Sequence, residues 1–215
     1  FFLEIAGFFL FPHYGCIHYS DFFGKIMKLK VRNYREPSGQ RNAIIVNSET
    51  GLPEFWPMLY VSSLLRAKGL AVNTISSQLG AILCLYQWAG IRGVEIESRI
   101  LSGDGFSRNE IDTLITVLRS HISDLPDLLS PSSNVVKIGS GNPKPSDIWK
   151  VLEQQPKQIS PSSYNDRVDY VRTYIVWLCD YLSDQDSSAS PEQRESIAKI
   201  GTDFAAVLKS MKSVE

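Results

Sequence analysis

The sequence predicts a mainly α-helical protein: a small basic β-hairpin, then a helical bundle, then a second helical unit at the C-terminal end. Three observations carry that expectation. Apolar residues recur at three- and four-residue steps over 55–90 and again over 168–182, the period that lines up one face of a helix. Ser107-Arg108-Asn109-Glu110 and Ser190-Pro191-Glu192-Gln193 place a Ser three residues before a Glu or Gln, the spacing at which each side chain satisfies a backbone donor at a helix start. Nearer the beginning, Leu29, Val31 and Tyr34 are interleaved with Lys28, Lys30, Arg32 and Arg35. The turn Glu36-Pro37-Ser38-Gly39 and the apolar run Ala43-Ile44-Ile45-Val46 follow, which together read as a hairpin.

With 43% hydrophobic residues in 215, the chain can build a core of ordinary size. The net charge of -1 gives no global basic signal for nucleic acid and counts against a DNA-coating protein. It leaves room for a local patch, because binding depends on where charges sit. From Met27 to Val72 seven Lys or Arg face three Glu, a local excess of four positive charges. Cys16, Cys84 and Cys179 are odd in number and far apart, so neither a disulfide framework nor a zinc site is expected. Cys84 and Cys179 fall in apolar helical patterns and read as buried thiols. A reducing, cytoplasmic setting is expected.

Residues 1–26 are dense in Phe and Tyr and poor in charge. Glu4 and Phe11-Pro12-His13 interrupt the apolar run well short of a bilayer span, so no membrane segment is expected. The segment reads as a mis-set start, with Met27 opening the protein proper, or else as an apolar arm for a partner. Residues 27–50 are the hairpin and 51–122 a helical domain. There, Met58, Val61, Leu64 and Leu65 share one face, and Ile75, Leu79, Ile82, Leu83 and Tyr86 another. Lys68-Gly69-Leu70 is the turn between them. Asn73 or Thr74 is expected to cap the second helix, and Gly69 and Gly90 to mark helix ends.

Residues 91–105 read as turns, and the helix opened by Ser107 is expected to end near Ile122. Residues 123–144, rich in Ser, Pro, Asp, Asn and Gly, read as a linker. The second unit, 145–215, begins with a short helix to about 154. A longer one follows with Val168, Val171, Ile175, Leu178 and Leu182 in one stripe. A last helix buries Ile197, Ile200, Phe204, Val207, Leu208 and Met211.

The sequence lacks the common catalytic sets. There is no G-x-S-x-G, no phosphate loop ending in Lys-Ser or Lys-Thr, and no H-E-x-x-H. The glycines of Ile138-Gly139-Ser140-Gly141-Asn142 lack a strand–helix context. No metal constellation and no acid–base pair of carboxylates can be drawn. No cofactor and no small-molecule substrate are expected.

The stretch FWPMLYVSSLLRAKGLAVNTISSQLGAILCLYQWAG (55–90) resembles the N-terminal core-binding, SAM-like helical domain of tyrosine recombinases, the phage-type integrases. Ser163-Tyr164-Asn165-Asp166-Arg167 with Tyr170, Tyr174, Ile175 and Trp177-Leu178 is similar to the segment that leads toward their catalytic domain. The resemblance covers Leu52 to Ile122 most strongly and Ser160 to Leu182 more weakly. It implies a role in DNA integration and recombination. Double-stranded DNA and other recombinase protomers would be the partners, and the helical half would grip duplex backbone beside the cleavage point.

In that family the catalytic half carries an Arg, a Lys, a His-x-x-Arg, a second His or Trp, and an attacking Tyr. Here His13 leads to Cys16, His18 to Asp21 and His121 to Asp124. The chain therefore reads as the DNA-binding part without its catalytic domain, and not as an enzyme in itself. The tyrosines Tyr164, Tyr170, Tyr174 and Tyr181 read as packing residues.

The expected DNA surface is the polar start of the second helix: Arg66, Lys68, Asn73, Thr74, Ser77 and Gln78. A helix N-terminus suits a phosphate, and Gln78 is placed to reach a base edge. Asn165, Arg167 and Arg172 are the candidates on the second unit, with Asp166 or Asp169 as alternative partners of the two arginines. A competing expectation is a protein-interaction module. Its partner would meet the small-residue face Ser76, Ser77, Gly80, Ala81 and Cys84. No basic recognition helix supports an ordinary helix-turn-helix regulator.

Overall fold

The computed structural model describes residues 29–121, 158–185 and 190–212. The expectations for 1–26, for the linker 123–144 and for a helix over 145–154 lie outside the described residues. Two strands, β1 (Leu29–Arg35) and β2 (Arg41–Asn47), pair antiparallel with Leu29 opposite Asn47 and Arg35 opposite Arg41. The turn is closed by Glu36 N–H on Gln40 O at 2.8 Å, and Gly39 takes the left-handed φ of 85° that the reversal needs.

Side chains alternate across a sheet. Leu29, Ala43, Ile45 and Asn47 are buried on one face; on the other, Lys30, Arg32 and Tyr34 of β1 stand exposed while Val46 and Asn42 of β2 are buried as well. After β2 the Asn47 side chain accepts from Glu49 N and Thr50 N, and Pro53 bridges back to Val46.

Helix α1 (Phe55–Tyr60) runs on as a π-helical turn, Val61–Leu65. Gly69, at φ 69°, ends it where the sequence placed the stop, with Leu70 N–H returning to Leu65 O. Helix α2 (Val72–Arg92) is the centre of the fold, and residues 81–90 are buried on every side. It passes through Gly90 without stopping. The left-handed terminus falls on Gly93 (φ 65°), and Val94 N–H bonds Ala89 O at 2.8 Å.

The region read as turns contains a short helix, α3 (Ile96–Leu101), which buries Ile96 and Ile100. Helix α4 (Arg108–Arg119) carries the expected capping box of Ser107 and Glu110. It ends at Ser120, short of Ile122, where Ser120 bridges to Gln158.

Helices α5 (Pro161–Gln185) and α6 (Pro191–Ser210) form an antiparallel pair, α6 opening with the Ser190–Gln193 capping box. Their stripes are buried as the periodicity predicts, from Val168 to Leu182 and through Ile197, Ile200, Phe204 and Leu208, whereas Val207 and Met211, expected in the core, are only half-buried at its margin. A Cβ at Gly201 would meet Cys179 Cβ at 3.2 Å, so the missing side chain is what lets the two helices approach. The pair packs on α1 and α2 through aromatic rings. Tyr60 lies 5.2 Å from Tyr174 and 5.0 Å from Trp177 between centroids, within the range where aromatic pairs attract beyond simple burial. Hairpin, bundle and C-terminal pair thus share one buried apolar cluster.

Cys84 and Cys179 are buried free thiols, their pKa values pushed up by burial to about 11 and about 12. Among the described residues no helix is long and apolar enough to cross a membrane.

Candidate nucleic-acid interface

The turn between α1 and α2 gathers the first group of candidate residues. Lys68, Asn73 and Ser77 are exposed, Arg66 and Thr74 half-buried. The cap expected of Asn73 or Thr74 is not made. Both lie inside the first helical turn, and the residue before Val72 is Ala71, which has no side-chain acceptor. The donors of that turn are therefore uncapped, and no acidic side chain stands in it. An uncapped start without acids keeps its full positive dipole end. Ser77 is an intrahelical partner, its hydroxyl donating to Asn73 O at 3.0 Å.

Gln78 departs from the sequence reading. It is 8% exposed, and its Oε1 accepts the Tyr60 hydroxyl at 3.3 Å. A polar side chain so enclosed needs that bond, so the amide is committed to the core and does not reach outward to a base edge.

The second group is also engaged internally. Arg167 Nη1 donates to Leu118 O at 3.1 Å and to Ser120 O at 2.7 Å. It closes the carbonyl end of α4, a structural task that helix termini require. Arg172 pairs with Asp169 at 3.3 Å, the alternative weighed for it, and Lys212 meets the other Asp169 oxygen at 2.6 Å. Asn165 is half-buried at the start of α5. The structure therefore brings Arg66, Lys68, Asn73, Thr74 and Ser77 to one turn and leaves Arg167 and Arg172 serving the packing of α4, α5 and α6.

The hairpin carries exposed cations of its own. Lys30, Arg32, Arg35 and Arg41 are exposed. With Arg66 and Lys68 they form no ion pair among the described residues. The pairs Arg99–Glu110, Arg108–Asp112, Arg172–Asp169 and Lys212–Asp169 all fall later in the chain. Tyr34 joins Lys30 and Arg32 on the outer face because it lies at an even step from them, whereas Leu29 and Val31 turn inward. The spacing in the sequence already carried that parity.

The small-residue face of α2 is only partly open. Ala81 and Cys84 are wholly buried, Ser76 and Gly80 half-buried. Among the described residues no group of His, Cys, Asp and Glu could hold a metal ion. The tyrosines nearest the centre are enclosed. Burial pushes the Tyr60 hydroxyl up to about 12, and it raises Tyr86 and Tyr174 well above the ordinary phenol range. No family model, no curated protein and no solved structure matches the chain.

Proposed function

We propose that this chain binds duplex DNA as the helical, core-binding part of a site-specific recombinase of the integrase type, with the cutting and joining chemistry supplied outside it. The observation that carries the reading is the start of α2. Its backbone donors are uncapped, its first turn holds no acid, and Arg66 and Lys68 flank it without ion pairs among the described residues. Backbone donors and unpaired cations are what phosphate contacts use. The hairpin's cations extend the same local excess in a protein of net charge -1. The salt dependence of duplex binding, compared between the parent and Lys68→Ala, tests it.

A protein partner is the second reading. Leu52, just before α1, and Phe55 and Met58 on it are 66%, 55% and 36% exposed, and exposed apolar groups that cluster mark contact surfaces. Under that reading binding would be insensitive to salt.

A further inference from the structure

The outer face of the hairpin carries charge and an aromatic ring on one strand only. Lys30, Arg32 and Tyr34 occupy alternate positions of β1, about 7 Å apart at the usual rise of a strand, and all three are exposed. Their cross-strand neighbours on β2 are Val46, Ile44 and Asn42, none of them charged. Val46 and Asn42 are buried and Ile44 is half-buried, so the open part of this face is the β1 row; there Tyr34 is 37% exposed with no ring partner among the described residues.

A contact for duplex backbone alone would need cations but no exposed ring. Cations that merely protect an edge strand from pairing would not need one either. A line of cations ending in an exposed tyrosine has the two parts of a single-strand site. One is a positive track for phosphates, and the other is an aromatic face on which a base can stack.

We propose that the outer face of β1 binds a single-stranded stretch of nucleic acid, Lys30 and Arg32 meeting phosphates and Tyr34 stacking on an unpaired base. This contact is independent of duplex binding at α2.

The test compares two oligonucleotides by fluorescence anisotropy: oligothymidylate of about twelve nucleotides, within the usual range of single-strand site sizes, and an abasic strand with the same phosphates. The parent is expected to bind the thymidylate at least about tenfold more tightly, since stacking on one aromatic is worth that much. Tyr34→Ala should erase the difference, and Tyr34→Phe should keep it. Arg32→Gln should weaken both and flatten the salt slope by about one. Tyr34 is on the exposed face, so its loss leaves the core intact, and a thermal melt verifies this. Equal binding of the two strands by the parent would overturn the proposal. So would a thymidylate preference that survives Tyr34→Ala. Thymidylate binding unaffected by Lys68→Ala supports a separate site, and its loss in that variant would contradict one. Absence of duplex binding alongside an intact thymidylate preference would count against the duplex reading alone.

Discussion

The hydroxyl oxygens of Tyr86 on α2 and Tyr174 on α5 lie 2.8 Å apart, and the Tyr86 hydroxyl also donates to the Glu97 carboxylate on α3. One hydrogen-bonded chain thereby ties three helices at the middle of the molecule. Such a network rigidifies a core when every member is satisfied and is costly when one is removed. Tyr174→Phe deletes a hydroxyl that only this network uses, so a loss of about 1–2 kcal/mol is expected in urea unfolding.

The same chain gives stability a pH dependence. Burial raises the Glu97 carboxyl above its ordinary value of 4.5; the Tyr86 bond works against that rise, and Glu54 and Glu95 add to it. The folded state therefore holds the Glu97 proton more tightly than the unfolded chain does. Its contribution to stability is fully present below 4.5 and is lost as pH rises through the raised folded value. Glu97→Gln, which keeps an acceptor for Tyr86, should remove that component. The difference in unfolding free energy between variant and parent should grow from acid toward neutral pH, in the variant's favour. A difference independent of pH would show that Glu97 does not titrate in this range.

Arg167 is expected to act on stability and not on DNA. Arg167→Met keeps the apolar stem and leaves the carbonyls of Leu118 and Ser120 without their donor. Bonds from a charged group to buried acceptors contribute about 1.5–3 kcal/mol, so a drop of that size in chemical denaturation is expected. Duplex affinity of the folded variant should match the parent. A selective loss of binding at unchanged stability would return Arg167 to the interface.

No tyrosine of this chain should form a covalent link to DNA. Tyr60, Tyr164 and Tyr174 are at most 2% exposed, and an attacking phenol needs cations converging on the scissile phosphate. Incubation with nicked duplexes followed by denaturing electrophoresis should show no protein–DNA adduct. A stable adduct at any tyrosine would overturn this account of the fold's chemistry.

What the sequence disclosed depended on the range of the interaction involved. Both capping boxes, the Gly69 stop and the long stripes of α5 and α6 are written in residues three or four apart, so they could be read directly. Helix α3 has six residues, fewer than two turns, and too few for a period to appear. The direction of Gln78 is decided by Tyr60, 18 positions away, and that of Arg167 by carbonyls 47 and 49 positions away. Nothing local distinguishes such inward polar groups from solvent-facing ones. The helix start at Ala71 shows the reverse case. Asn73 and Thr74 are good caps by type, yet the chain enters the helix before reaching them.

Phosphates held by the cations around the start of α2, which form no ion pair among the described residues, would make duplex affinity fall steeply with salt. About three to five neutralised phosphates would give a slope of roughly −3 to −4.5 in a plot of log affinity against log salt, with affinity in the micromolar range or weaker. Lys68 is exposed in the turn, so Lys68→Ala should fold normally, weaken binding to all duplexes alike and flatten the slope by about one. A parent chain with no salt-sensitive affinity for any duplex would contradict the claim.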